Sequence, residues 1–286
     1  MAHRWSRVWC YLLFALLGCG ESQPDSLPSA ETPVSQNAFD PVTAGVIHGQ
    51  VKWEGHIPGS APSQMRSDLP QIWDGARSNA NLPIVDPGSL GLRDAVVCLR
   101  GLDPGLGKPW DHPQVRIEHR NLGLQVHQGD LVSRIGFVHR GDSVEIVSHD
   151  TVFHVLQARG AAFFSLPLAD ADQASVRRLT RKGLVALRSG AGFPEMRGFL
   201  FVDDHPYYAR TDSQGRFRLE GVPPGKYQIA CWLPNWNIVG KERDPETAQP
   251  WRFVFAAPLE QEQMIIVKTS GIAKAHFILS AKMFAK

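Results

Sequence analysis

The stretch that most constrains the fold spans residues 183–227, where short apolar runs alternate with turn residues. Residues 199–202 (Phe-Leu-Phe-Val) are a continuous apolar strand, and residues 211–215 (Thr-Asp-Ser-Gln-Gly) are typical of a polar hairpin turn. Residues 223–225 (Pro-Pro-Gly) predict a further turn. Long helical periodicity is hard to find in the rest of the chain, and 26 glycines and 21 prolines favour many turns. The sequence therefore predicts an all-β fold.

Several short motifs in this stretch resemble one family of exported proteins. The motifs are GLV-x-L from residue 183, P-x-M-x-G from 194, DHPYY from 204, TD-x-x-G-x-F from 211 and PPG-x-Y from 223. They are similar to methylamine-utilisation-protein-like chains, common in planctomycete-type bacteria, in which a cupredoxin-like β-sandwich is fused to or inserted in a carboxypeptidase-regulatory-like (transthyretin-like) β-sandwich. The run I-x-G-x-V-x-W-x-G from residue 47 resembles the first strand of the latter.

The resemblance implies a domain order. We expect the first part of the carboxypeptidase-regulatory-like sandwich at 45–113, the cupredoxin-like domain at 114–204, and the remainder of the first sandwich with the C-terminal strands at 205–286. Within this order, residues 228–232 are expected to pair beside residues 95–99. Residues 133–138 and 143–147 are expected to form a hairpin.

The resemblance also implies a copper site that has lost ligands. Relatives carry a loop of the form Cys-x-x-His-Pro-x-Met, which completes a copper site with one earlier histidine. Here Ser189 stands at the Cys position and Phe193, with one extra residue in the loop, at the His position. Met196 is retained and His154 matches the earlier histidine. A type 1 copper site needs a thiolate, which a serine hydroxyl does not replace. We therefore expect no cofactor, with His154 and Met196 as a remnant site.

A copper-binding or electron-transfer protein is the alternative, with His154, Met196 and another histidine as ligands. His149 and His205 are the candidates for that histidine, with Asp150 beside them. On one continuous strand, His149 and His154 would face opposite sides, so a bend near Asp150 would be required. A packing role for each of these side chains is the competing interpretation.

The first residues predict export and a lipid anchor. Residues 1–18 contain Arg4 and Arg7 followed by a ten-residue apolar run, which is too short to span a bilayer and fits a signal peptide. The following Leu-Leu-Gly-Cys resembles a bacterial lipobox, with Cys19 as the acylated residue; an ordinary secretory signal is the alternative. Residues 19–44 are predicted to be a flexible tether. We expect a cell-envelope location on the extracytoplasmic side, at the outer membrane or the periplasmic face.

Two further cysteines, Cys98 and Cys231, lie in apolar strand patterns. In an oxidising compartment they are candidates for a disulfide. The alternative is two separate buried thiols that pack as small hydrophobic side chains.

Charge and motifs exclude several functional classes. Beyond the signal peptide the chain carries 28 basic and 28 acidic residues, which gives no field that favours nucleic acid. There is no G-x-S-x-G or H-E-x-x-H motif, so an enzyme is not expected. We predict a non-catalytic binding or assembly module, held to the membrane through Cys19 and contacting an unidentified protein or glycan. Trp236 is a candidate platform for such a partner, with core packing as the alternative.

Overall fold

The computed structural model of this protein describes residues 38–59, 79–243 and 250–284. The predicted signal peptide, Cys19 and most of the predicted tether lie outside these residues. The described chain is built almost entirely of strands, so the all-β prediction is confirmed. No helix within these ranges combines the length and the apolar character needed to cross a membrane.

One β-sandwich, called here the split sandwich, is formed from two distant parts of the chain. Its strands are β1 (Gly45–Glu54), β4 (Val96–Arg100), β15 (Tyr208–Arg210), β16 (Arg216–Val222), β17 (Gly225–Leu233), β20 (Leu259–Val267) and β21 (Ile272–Ser280). They form a three-stranded sheet in the order β16-β1-β21 and a four-stranded sheet in the order β15-β4-β17-β20. Alternate residues of both sheets, such as Trp53, Phe277 and Ile229, point into one shared core.

A second β-sandwich, called here the inserted sandwich, lies between β4 and β15 in the chain. Its strands are β5 (Val115–Arg120), β6 (Gly123–Gln128), β7 (Leu131–Ser133), β8 (Ile135–His139), β9 (Ser143–Ser148), β10 (His154–Gly160), β11 (Phe164–Leu168), β12 (Ser175–Arg178), β13 (Gly183–Ser189) and β14 (Arg197–Asp203). The two five-stranded sheets have the orders β11-β10-β13-β14-β8 and β12-β9-β5-β6-β7. Their facing apolar residues form a separate core.

The remaining described elements are small. They are the strand pair β2 (Ile84–Val85) and β3 (Leu92–Arg93), the strand pair β18 (Ile238–Arg243) and β19 (Pro250–Phe255), and 3-10 turns at Pro104–Leu106 and Ala281–Met283.

A third apolar layer joins the two sandwiches. On β4 and β17, Val96 and Trp232 point away from the split core, because their neighbours along each strand point into it. The Trp232 ring meets Phe199 and Phe201 of β14 edge-on, with centroid distances of 5.0 and 5.1 Å. The four sheets are therefore stacked, and the middle two are held together by aromatic packing.

The chain enters and leaves the inserted sandwich at adjacent points. His112, just before β5, has its Nε2 atom 2.7 Å from the carbonyl oxygen of Pro206, which follows β14. Nearby, the Lys108 amide donates to the Tyr207 hydroxyl at 2.8 Å. The two connecting segments are thus hydrogen-bonded to each other at the junction between the sandwiches.

The predicted turn at residues 211–215 is present, and its residue types explain it. The Asp212 carboxylate accepts hydrogen bonds from the amides of Gln214 and Arg216, both at 2.8 Å. Gly215 has a φ of +75°, which glycine adopts without steric cost. The buried Thr211 hydroxyl accepts from the Ala95 amide at 2.9 Å. This polar turn therefore ties β15 and β16 to the start of β4.

The expected pairing of residues 228–232 with residues 95–99 is confirmed, and it decides the disulfide question. In the β17–β4 register Cys98 is opposite Ala230 and Cys231 is opposite Val97. Neighbouring positions of a strand face opposite sides of the sheet, so the two thiols lie on opposite faces. Both are buried and free. The prediction of a possible Cys98–Cys231 disulfide is therefore wrong, and the two cysteines are separate buried thiols.

The expected hairpin of residues 133–138 with 143–147 is also wrong. The strands exist as β8 and β9, but β8 pairs with β14 and β9 pairs with β5 and β12. The turn between them carries the chain from one sheet to the other: the Arg140 amide donates to Asp203 and the Gly141 amide to Leu179. Strand and turn patterns alone do not distinguish this crossover from a hairpin.

Candidate functional site

The loop between β13 and β14 is folded around Ser189, the last residue of β13. The Ser189 amide donates to the Met196 carbonyl at 3.3 Å. The Ser189 hydroxyl oxygen lies 3.1 Å from the Ala191 amide and 3.4 Å from the Phe193 amide, and it accepts hydrogen bonds from both. This side chain therefore holds the loop in shape.

His154 lies against this loop. It starts β10, which is paired with β13, and the Gly190 amide donates to the Val155 carbonyl at 2.7 Å. The His154 residue is fully buried, and its ring centroid is 5.0 Å from that of Phe193. Phe193 and Met196 are buried in the same core. The structure therefore brings His154 and Phe193 into contact and places Ser189 and Met196 on the same short loop.

Asp150 fixes the orientation of His154. The His154 Nε2 atom is 2.9 Å from an Asp150 carboxylate oxygen. The same carboxylate accepts from the backbone amides of Asn121, at 2.6 Å, and Leu122, at 2.9 Å. Burial lowers the pKa of His154, while the hydrogen bond to Asp150 acts in the opposite direction. The ring is therefore clamped by a carboxylate that is itself held by the β5–β6 turn.

A second buried imidazole, His119 of β5, lies beside His154. The ring centroids are 4.9 Å apart and His119 is only 1% exposed. Burial lowers the pKa of His119 to about 3, and the neighbouring His154 acts in the same direction. The sequence analysis missed this residue. The available signal was the alternation of Val115, Ile117 and His119, which places all three on the inward face of the strand.

The two histidines that the sequence analysis did consider have other surroundings. His149 follows β9, outside the strand that His154 begins; its Nδ1 meets the Asp172 carboxylate and its Nε2 lies 3.3 Å from Glu118. His205 is buried and stacks on Tyr208 with a centroid distance of 5.5 Å. His149 thus contacts carboxylates and His205 contacts an aromatic ring, and neither contact involves His154.

The donor set does not fit a type 1 copper centre. Such a centre needs a thiolate beside two imidazoles, and the free thiols of the described chain, Cys98 and Cys231, belong to the split sandwich. Ser189 is engaged with backbone amides and Phe193 offers no donor atom. Across the described ranges, no three or more His, Cys, Asp or Glu side chains are grouped so as to hold a metal ion.

A cavity of about 300 Å³ lies on the inserted sandwich near the junction. Trp110 forms one wall, with ring centroids 5.2 Å from His112 and 5.4 Å from His139, and Asp142 lies at the same cavity. Trp236, the tryptophan that the sequence analysis considered for partner binding, packs against Trp53 and Phe284 at 5.8 and 4.3 Å. Trp236 therefore anchors the split core, whereas Trp110 lines this cavity.

Comparison with known proteins finds matches among solved structures. No protein-family model matches this chain, and no curated protein matches it in sequence. The solved structures that match include an amicyanin, a copper-containing nitrite reductase and a multicopper oxidase. The all-β fold of this chain is shown by its own strands.

The individual similarities are distant. A reduced mutant of amicyanin matches at 16% identity over 37% of this chain and 97% of its own, with a TM-score of 0.26. The copper-containing nitrite reductase of Thermus scotoductus matches at 16% identity over 31% of this chain but only 22% of its own length, with a TM-score of 0.26. The McoA multicopper oxidase of Aquifex aeolicus matches at 8% identity over 63% of this chain and 67% of its own, with a TM-score of 0.24.

Proposed function

We propose that this protein is a lipid-anchored, extracytoplasmic, non-catalytic binding or assembly module. Its cupredoxin-like sandwich then serves as a structural and binding unit without blue-copper electron transfer. The proposed anchor is Cys19, and the proposed location is the cell envelope. The lipobox-like Leu-Leu-Gly-Cys and the polar residues that follow it support this placement.

The observation that carries the proposal is the contact between Phe193 and His154. A phenyl ring packs 5.0 Å from the buried imidazole, at the loop position where the resembling family has a histidine ligand. The Ser189 hydroxyl, at the family's cysteine position, accepts two backbone amides. A hydroxyl and a phenyl ring supply neither the thiolate nor the imidazole that a type 1 copper centre takes from this loop.

The test measures whether an intense visible absorption appears when copper is added. The purified full-length chain is titrated with Cu(II), and we expect no intense thiolate-to-copper absorption in the visible range. Ser189→Cys combined with Phe193→His should acquire that absorption, because it restores both donors at the loop beside His154. Phe193→His alone is the matched control and should stay colourless. An intense blue band in the unmodified chain would refute the loss of the electron-transfer centre.

The anchor is tested separately. After expression in a bacterial host, the chain should partition with membranes and incorporate labelled fatty acid. Cys19→Ala should abolish the labelling. A fully soluble, unlabelled product of the unmodified chain would refute the lipid anchor and leave the statement on copper untouched.

A glycan-binding role is the second candidate, and the Trp110 cavity favours it. An indole face beside polar groups such as Asp142 and His139 is a surface on which a sugar ring can stack and hydrogen-bond. In a pull-down with insoluble glycan, Trp110→Ala should reduce the amount of protein retained. Trp236→Ala should instead lower the stability of the fold, because Trp236 packs in the split core. Equal retention of the unmodified chain and of Trp110→Ala would refute this role.

A further inference from the structure

Four arginines are grouped around the start of β14. Arg197 is the first residue of this strand, and Arg188 of β13 is its partner in the antiparallel register. The positive charges of Arg188, Arg134 and Arg252 all act on Arg197. Together with burial, they lower the pKa of its guanidinium to about 10. Like charges directly opposite each other in a sheet are destabilising, so an anion bound at this point would be stabilising.

The side chain of Arg197 differs from the other three in its contacts. The others each have a polar partner: Gln157 for Arg188, Glu242 for Arg252 and Asn81 for Arg134. The Nε atom of Arg197 is buried and has no hydrogen-bond partner in the described chain. Its guanidinium lies 4.8 Å from the ring centroid of Phe255, which offers no acceptor in the plane of the N–H groups. A buried N–H without an acceptor and a buried cation without a counterion both cost stability.

Arg197 also lines a cavity of about 530 Å³, where the segment that leads into β2 meets the inserted sandwich. The charged groups of the described lining are the guanidinium groups of Arg197 and Arg134 and the carboxylate of Glu195. Most of the other lining residues, such as Leu82 and Leu124, are apolar. A cavity of this size, with apolar walls and a few polar groups, is typical of a site for a small molecule.

We propose that this cavity binds a small organic carboxylate, with the carboxylate group on Arg197 and the carbon skeleton against the apolar wall. The planar fork of a guanidinium matches the two oxygens of a carboxylate. One negative charge is sufficient, because Asp94 already attracts the charge of Arg134. Inorganic phosphate also matches a guanidinium, but it has no apolar part to cover Leu82 and Leu124. Binding involves hydrogen bonds and apolar contacts, and no covalent bond changes.

This site goes beyond the proposed function. Its described lining shares no residue with the lining of the Trp110 cavity. The result of the glycan pull-down therefore has no bearing on it, and Trp110→Ala should leave carboxylate binding unchanged.

The experiment measures thermal unfolding and titration calorimetry of the full-length chain with hexanoate at constant ionic strength. A ligand that binds the folded state raises the unfolding midpoint with its concentration. Hexanoate should do so, whereas hexanamide lacks the charge, and acetate and phosphate lack the apolar chain. Each of these three should bind at least about tenfold more weakly than hexanoate. Arg197→Gln should weaken hexanoate binding at least about tenfold, because it removes a charge-assisted hydrogen bond.

Two further variants locate the site. Arg181→Gln makes the same change of charge at an exposed arginine outside the cavity, so it should bind hexanoate like the unmodified chain. Ile84→Glu places a carboxylate at an exposed position of the lining, where it should repel the ligand and leave both cores intact. It provides the same test if Arg197→Gln does not fold.

Absence of hexanoate binding to the unmodified chain would overturn the proposal. Equal hexanoate affinities of the unmodified chain and of Arg197→Gln, or of Ile84→Glu where Arg197→Gln does not fold, would also overturn it. Phosphate binding as tight as that of hexanoate would overturn the assignment of the ligand as an organic carboxylate.

Discussion

Truncation of Trp232 should uncouple the two sandwiches. This side chain is only 4% exposed and lies in the apolar layer between β17 and β14, edge-on to two phenyl rings. Replacing a buried aromatic residue by alanine typically costs about 3–5 kcal/mol, part of it from the cavity that remains. Each edge-on aromatic pair accounts for about 0.5–1.5 kcal/mol beyond the buried area. We therefore expect Trp232→Ala to lose about 4 kcal/mol, nearly all of it at the junction.

The measurement is urea unfolding followed in each sandwich separately, by hydrogen exchange of peptides from β1 and from β13. In the unmodified chain the two sets of peptides should lose protection together. In Trp232→Ala their midpoints should separate, because each sandwich keeps its own core while the shared layer is weakened.

Trp53→Ala is the matched control, since Trp53 is a buried tryptophan of the split core that lies away from the junction. It should destabilise the chain by a similar amount and leave the two transitions coincident. If Trp232→Ala loses less than about 1 kcal/mol, which is typical of a surface substitution, or still unfolds in one coincident step, the aromatic layer does not couple the sandwiches.

Four further outcomes are expected from the described contacts. Asp150→Asn removes a carboxylate that accepts two backbone amides and the His154 ring, and should cost about 1–3 kcal/mol in urea unfolding; unchanged stability would contradict the clamp. Thr211→Val leaves the Ala95 amide without its acceptor and should cost about 1–3 kcal/mol, against a neutral effect for Thr180→Val at an exposed position. Acidification from pH 7 to pH 5 should destabilise the chain, because below the ordinary histidine pKa of 6.5 the unfolded state takes up a proton that folded His119, with a pKa of about 3, does not. The contribution is about 1.4 kcal/mol per pH unit, and the slope should be smaller by that amount in His119→Phe; equal slopes would show that His119 titrates normally. Finally, a thiol reagent should modify Cys98 and Cys231 only after denaturation, without any reductant, since both are buried and free; a need for reductant would reveal a disulfide.

The fold was predictable where residue types determine local geometry. The alternation in β1, the turn from Thr211 to Gly215 and the strand that becomes β17 each follow from turn chemistry or from a period of two. The sequence could not show that β8 and β9 belong to different sheets, because the turn between them is stabilised by Asp203 and Leu179, which lie far along the chain. The face that each cysteine occupies likewise depends on the register between β4 and β17.

The candidate site was predictable only in part. The loop motif pointed to Ser189, Phe193 and Met196, and the family resemblance pointed to His154. The hydrogen bond between His154 and Asp150 was not predicted. His119 was missed, because its contact with His154 arises from the packing of two sheets whose strands are separated by more than thirty residues. The sequence signal for His119 was a polar residue at an inward-facing position of a strand.

The hydrogen bond between His112 and Pro206 has a consequence for how such a chain could arise. Where the inserted sandwich begins and ends, the flanking segments are one hydrogen bond apart, which is the geometry in which insertion of a domain disturbs its host little. Removal is not equally simple, because excision would expose Val96 and Trp232 to water as an apolar patch. The split sandwich therefore depends on the inserted sandwich to keep this apolar face out of water.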